Sequence, residues 1–360
     1  MQSLACYSIV LASRGLGEDA FGATGGGEKP AAGRLCEEMV VPMNRRIVRS
    51  AAAFAFLIVS HGVGLAADLV IAMPNWPSGQ AAANILKFAI ADKFGLDAEV
   101  RELGTLRAFA GMEAGEVDIV PEVWRPNFDD LVKRYGPEGT KSVVLAHLAV
   151  PAWQGLCATS DAAAAGIKDV SDLSDPAKTA ALDTDGDGRG EIWIGAPTWK
   201  STGIERVRAN SYGYAKTATL VEAEEDVAMA AVDAAVATGR PMVFYCYEPH
   251  HVFKLHEIVR LTEPPYDPAK WHIASQTDDP MWIAKSSAPV AWGPVEFEIA
   301  YTASFAKKHA DVAAFLEKVD FKPDEITAMS YALQVDRQLP ADYAKAWVAE
   351  NADRLAEWGK

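Results

Sequence analysis

The sequence predicts an α/β protein of two lobes with a ligand cleft between them, and three observations carry that expectation. The chain has 360 residues, half of them hydrophobic, which is enough for a core shared by two lobes. From residue 69 short apolar strands alternate with helical patterns, and a second set of such elements begins near residue 150. Helical patterns then dominate from residue 295 onward.

In chain order, "LVIAM" at 69–73 reads as a strand. Residues 79–95 read as a helix with Ile85, Phe88 and Ala89 on one face and Gly95 as its stop. Strand 98–103, helix 105–115 and strand 117–124 complete a β-α-β-α-β run, the pattern of a largely parallel sheet. In the second set, 153–159 reads as a strand and 167–176 as a short helical segment. An Ala-rich helix at 225–241, ended by Gly239, feeds the strand 242–247. Neither a low-complexity linker nor a short internal repeat interrupts the chain after residue 68. One lobe is expected at 68–150 with 285–360, the other at 151–284.

The N-terminal region reads as an address. Arg45, Arg46 and Arg49 precede an apolar run from Ala51 to Val59, and small residues follow to Ala66 and Ala67. This is the layout of a secretory signal over 43–67, too short to span a bilayer comfortably. Residues 1–42 are Gly-rich and polar and read as an extension upstream of a true start at Met43, so the mature chain would begin near Asp68. Of the four cysteines, Cys6 and Cys36 fall in that extension. Cys157 and Cys246 remain, free to pair in an oxidising compartment if the fold brings them together. An excess of 15 negative charges argues against nucleic acid or an anionic membrane as partner and favours a soluble, monomeric surface.

The stretch "DTDGDGRGEIWIGAPTWKSTG" at 183–203 combines two kinds of local chemistry. Asp183, Asp185 and Asp187 occupy positions 1, 3 and 5 of a calcium-type loop, with Gly188 at the turn and Glu191 at position 9. Ile194 stands where an EF-hand needs its bidentate Glu, so a switching EF-hand is excluded. A structural calcium site and a plain Asp/Gly turn both stay open. No other cofactor is called for. A phosphate loop fails because Lys200 falls where the second Gly is needed, behind the bulky Trp199. Instead Trp199 directly precedes a helix whose first N–H groups, at Lys200, Ser201 and Thr202, suit an anion.

Catalytic signatures are missing: the chain has no G-x-S-x-G, no H-E-x-x-H and no dinucleotide fingerprint. His250 and His251 are adjacent, so on a strand they face opposite ways and read as surface or capping residues. Of ten tryptophans, Trp76, Trp124, Trp153 and Trp199 fall at strand ends or loops, as does Tyr247. Those are the places where α/β lobes present residues to a crevice. Rings around one space attract a quaternary ammonium by cation–π interaction, at about 0.5–2 kcal/mol per face. Trp271, Trp282, Trp292, Trp347 and Trp358 read as packing.

At these residues the sequence resembles the substrate-binding proteins of ABC importers for glycine betaine, choline and related compounds, a family that includes trimethylamine N-oxide binders. The pieces that carry the resemblance are "VWRPNFDDL", "LDTDGDGRGEIWIGAPTWKSTG" and "RPMVFYCYEP". It implies the two-lobed periplasmic-binding-protein (type II) fold with a hinge and an interlobe cleft. It also implies an aromatic box from Trp76, Trp124, Trp153, Trp199 and Tyr247, with a carboxylate seat at Lys200 and Ser201. Departures are Phe128 where enteric betaine binders have a ligand-contacting His, Lys200 where they have Gly, and Ser78 where choline binders have an acid. Glu122 lies two residues before Trp124 on one strand, so both share a face, and its carboxylate would favour a cationic or hydrogen-bond-donating ligand.

The function expected is therefore that of a periplasmic, non-enzymatic receptor. It would hand glycine betaine, choline or trimethylamine N-oxide to an inner-membrane permease. The alternatives are a secreted hydrolase, which needs a convergent carboxylate pair that no motif supplies, and a sensing domain for the same compounds.

Overall fold

The computed structural model describes residues 67–276 and 278–360. The expected extension and leader, with Cys6 and Cys36, lie outside the described residues. Ten strands organise the described residues: β1 (Leu69–Met73), β2 (Ala98–Glu102), β3 (Ile119–Arg125), β4 (Val143–Leu145) and β5 (Val150–Thr159) come first. β6 (Gly190–Trp193), β7 (Ala218–Val221), β8 (Val243–Glu248), β9 (Ile258–Arg260) and β10 (Val295–Thr302) follow. Their order across the sheet is β2-β1-β3-β10-β5-β8-β6-β7, with β4 on β10 and β9 on β5.

The parallel pairs lie toward the two ends of that order. β1 runs parallel to β2 and β3, and β6 parallel to β7 and β8. Parallel neighbours need a crossover, which the helices Pro77–Phe94 and Thr105–Ala114 supply in the first half. Lys200–Tyr212 and Glu225–Thr238 do so in the second. Between the halves run two antiparallel strands. The first residues of β5 pair with β10, and from Trp153 to Ala158 the same strand pairs with β8. One continuous strand thus belongs to both halves.

The stretch at 295–302 corrects the expectation of helix from residue 295 onward. β10 is held by β3 on one side and by β4 and β5 on the other. Hydrogen bonding on both edges and the strand-forming "VEFEIAYT" outweigh the helical character of the residues after Thr302. Helices resume at Ala303–Lys308 and continue to Ala352–Trp358. The later ones pack on Pro77–Phe94, whose small residues Ala81, Ala82 and Ala83 are fully buried and let neighbours approach. Trp347 and Trp358 stack there at 5.9 Å, with the Arg354 guanidinium 4.8 Å from the Trp358 ring, so both are packing residues.

Two features tie the second half together. Cys157 on β5 and Cys246 on β8 are joined in a disulfide. Arg208, fully buried on Lys200–Tyr212, pairs with Glu205 and with Glu263. Trp292 donates its indole N–H to Glu205 at 2.7 Å, and the Tyr212 hydroxyl donates to Glu263 at 2.8 Å. This cluster fastens the long excursion between β9 and β10 to the helix that starts at Lys200. Arg208→Met leaves two buried carboxylates without a cation and is expected to remove about 3–5 kcal/mol of stability. Urea unfolding checks this; a loss well under 1 kcal/mol would show the cluster to be solvated.

Candidate ligand-binding site

Two parallel pairs, β1 with β3 and β6 with β8, deliver the site. Trp76 follows β1 and stands at the N-cap of the helix Pro77–Phe94; Trp124 lies near the end of β3. Trp199 ends the loop after β6, at the N-cap of Lys200–Tyr212, and Tyr245 and Tyr247 lie on β8. Glycines allow this packing: a Cβ on Gly79 would lie 2.8 Å from the Trp76 indole nitrogen. Gly195, at a φ of +125°, would place a Cβ 2.3 Å from the Thr202 hydroxyl in the first turn of the next helix.

The rings meet edge to face. Trp76 and Trp199 are 6.4 Å apart at 87°, Trp124 and Tyr247 5.4 Å at 81°, and Trp199 and Tyr247 5.9 Å at 77°. Phe297 of β10 stacks on the outer side of Trp124 at 4.6 Å. Together with Tyr245 these rings line a small cavity, about 40 Å³ open to the centres of water-sized molecules. Thr105, Asn127, Phe128, Lys200 and Ser201 complete its wall.

Glu122 sits behind the box, 1% exposed. One of its oxygens accepts the indole N–H of Trp76 at 2.5 Å and that of Trp124 at 3.0 Å, and the buried Ser78 hydroxyl also favours the ionised carboxylate. Burial pushes this carboxyl up to about 7, against the pull of the two indole donors. Across the box Glu225 repeats the arrangement. It accepts the Tyr247 hydroxyl at 2.6 Å, and burial pushes it too up to about 7. Glu225 also meets His250 Nε2 at 3.0 Å. Because His250 Nδ1 accepts the N–H of Val252, the neutral ring carries its proton on Nε2 and donates to Glu225.

Lys200, Ser201 and Thr202 open their helix as expected, and the first two line the cavity. The Lys200 ammonium, however, is engaged by Asp130 of the opposite half. Burial lowers its proton affinity and Asp130 opposes that shift. Other contacts close the cleft. Asn75 donates to Glu224 at 2.8 Å and to Thr198 at 3.1 Å, and accepts the Trp199 indole N–H at 3.0 Å. Arg134 pairs with Asp278.

Trp153 requires correction: it does not line the cavity. On β5 it is Gln154 that faces inward, exchanging amide hydrogen bonds with Asn127 at 3.2 and 2.7 Å and accepting the Tyr245 hydroxyl at 2.6 Å. Adjacent strand residues face opposite ways, so Trp153 points to the other side, where the Arg260 guanidinium covers it at 4.3 Å. The histidines are also not surface residues. Both are 3% exposed in the turn after β8, their rings 4.1 Å apart, and His251 meets Ser330 at 2.6 Å. Sequence reasoning misses Tyr245, Asn127 and Thr105. The first is within its reach, since Tyr245 lies two residues before Tyr247 and hence on the same face of its strand.

In the loop after residue 182, oxygens of Asp183, Asp185, Asp187 and Glu191 all lie within 4.8 Å of one another, a spread that oxygen coordination of a hard cation accommodates. The loop also satisfies itself: Asp183 accepts backbone N–H groups of Gly186 and Gly188, which hold its carboxyl below the usual range.

Fold and site together define a two-lobed binding protein whose closed cleft encloses an aromatic cavity. The chain belongs to the family of substrate-binding domains of ABC-type glycine betaine transport systems, which matches residues 67–350. A trimethylamine N-oxide-binding protein of Pelagibacter ubique is 25% identical over 324 residues, 85% of this chain and 97% of its own length. A choline-binding protein of an ABC transporter, in complex with choline, shares the fold with a TM-score of 0.63 at 19% identity, covering 80% of this chain and 91% of its own. The lactococcal OpuAC, closed on glycine betaine, does so with a TM-score of 0.61 at 19% identity, covering 81% and 99%. These relatives are substrate-binding proteins, not enzymes. Among the described residues no helix is long and apolar enough to cross a membrane.

The two buried carboxyls have a consequence for stability. An acid whose folded value lies above its unfolded one costs nothing while protonated. It destabilises the fold progressively as pH rises from about 4.5 to about 7. Glu122→Gln is therefore expected to raise stability at pH 8 by up to about 3 kcal/mol and to change it little at pH 4.5. Urea titrations at the two values decide; an equal effect at both would mean that Glu122 is not held protonated by the fold.

Proposed function

We propose that this protein captures a small trimethylammonium compound that lacks a carboxylate, with trimethylamine N-oxide first and choline second, and delivers it to an ABC permease. The observation that supports this most is the pairing of the aromatic cavity with Glu122. Trp76, Trp124, Trp199, Tyr245 and Tyr247 offer electron-rich faces to a methylated ammonium head. Glu122 stands directly behind this wall, outside the residues that line the cavity, as a hydrogen-bonding group held by the Trp76 and Trp124 indoles. Protonated, it donates to an N-oxide oxygen; ionised, it accepts from a hydroxyl and attracts a cation. A ligand carboxylate beside it would be repelled, and Lys200 is already committed to Asp130. The name of the Pelagibacter relative points the same way. A leader-directed, periplasmic and monomeric receptor is part of this reading.

Titration of the mature chain by calorimetry and tryptophan fluorescence tests it. Binding in the micromolar range or tighter is expected for trimethylamine N-oxide or choline, and weaker binding for glycine betaine. Trp199→Ala should weaken it about 2- to 30-fold, one cation–π face, whereas Tyr247→Phe should keep most of the affinity. Trimethylamine N-oxide affinity should fall as pH rises through about 7 and Glu122 loses its proton, while choline affinity should rise. Glycine betaine bound more tightly than both would sink the role given to Glu122. No response to any of the three would sink the box.

For the acidic loop we propose a structural calcium ion held by Asp183, Asp185, Asp187 and Glu191, supported by the spacing of their oxygens. Restoring calcium after chelation should then raise Tm by at least about 2 °C. An unchanged Tm leaves a self-satisfied Asp/Gly turn.

A further inference from the structure

We infer that the Lys200 side chain is a wall that limits how long a ligand the site accepts, an inference that rests on the aromatic-box reading. Beyond the box lies a second and larger cavity, about 300 Å³ against about 40 Å³ on the same measure. Pro126, Ile204, Trp271, Ile273 and Trp282 give it apolar sides, and Asp130 lies on its rim with Asp129. Among the described residues only Lys200 and Asn127 line both spaces, so these two side chains stand between them.

Both are held in place. Asn127 is fixed by its reciprocal amide pair with Gln154. The Lys200 side chain is 5% exposed, and its ammonium is taken by Asp130 across the cleft. A four-carbon stem anchored at both ends is a barrier, and its charge is spent on Asp130 rather than left for a ligand. A trimethylammonium head seated in the box can therefore carry only a short remainder before it meets the lysine stem. Compounds of the size of trimethylamine N-oxide or choline fit this limit. Longer alkyl or ester derivatives would need the second cavity.

A chain-length series tests the wall without a charge change in the ligand. Tetramethylammonium and its ethyl, butyl and hexyl analogues are titrated into the wild-type chain by calorimetry, where affinity should fall with length. Lys200→Ala joins the two cavities. Each methylene then buried is worth roughly three- to fourfold, so the hexyl-to-tetramethyl affinity ratio should rise at least about tenfold over wild type. Lys200→Met keeps the length of the stem without its charge and should keep the wild-type ratio. The lysine also ties the two halves together, but weaker closure lowers all affinities alike and cancels in the ratio. Arg134→Ala, which breaks the pair with Asp278 and lines neither cavity, should accordingly leave the ratio unchanged. Lys200→Ser replaces the alanine variant should that one not fold. A ratio in Lys200→Ala or Lys200→Ser equal to wild type, with tetramethylammonium still bound, overturns the wall and spares the box. Wild type that binds hexyltrimethylammonium as well as tetramethylammonium does the same. Wild type that binds no tetramethylammonium overturns both.

Discussion

A carboxylate buried without a cation is expensive, and Glu122 is kept because two indoles need it. One of its two oxygens receives the N–H of Trp76 from the end of β1 and that of Trp124 from β3. An indole N–H sealed from water without an acceptor would itself cost on the order of 1–3 kcal/mol, so the acid and the rings justify one another. Once the two rings are oriented, Trp199 meets Trp76 edge to face and Tyr247 meets Trp124 in the same way. The geometry of the box follows from one hydrogen-bonded centre. So does its electrostatics: two buried carboxyls with raised proton affinity stand behind the rings at Glu122 and Glu225, and the lysine on the wall is paired with Asp130.

The halves are held in register by a different device. β5 hands its pairing from β10 to β8 along its own length, so the box walls on β3 and β8 are referred to one strand that touches both sides. Closure then adds contacts that exist only when the halves meet: Asn75 with Trp199 and Glu224, Lys200 with Asp130, Arg134 with Asp278. Each is polar, and two of them, Asn75 with Glu224 and Arg134 with Asp278, are exposed and hence individually weak. Weak contacts of this kind suit a cleft that must reopen, since ligand binding can then decide the balance.

The helix beginning at Lys200 joins these two themes. Its N-cap residue is a box wall, its first residue a bridge across the cleft, and its buried Arg208 anchors the excursion that roofs the second cavity.

Sequence alone determined most of the α/β framework, because period-two strands, helix stops at Gly95 and Gly239 and the β-α-β-α-β order are local signals. It also determined four of the ring positions, since strand ends in such lobes face the crevice, and it placed Glu122 on the face of Trp124 through strand alternation. It does not separate β10 from the helical tail, because what makes that segment a strand is pairing on both edges by residues far away in the chain. Trp153 is misplaced for a related reason: which of Trp153 and Gln154 faces inward depends on the register of β5 against β8, and a one-residue slip reverses it. The disulfide between Cys157 and Cys246, the burial of His250 and His251 and the capture of Lys200 by Asp130 could be decided only by tertiary structure. Each depends on which distant surfaces meet, and no spacing along the chain encodes that directly.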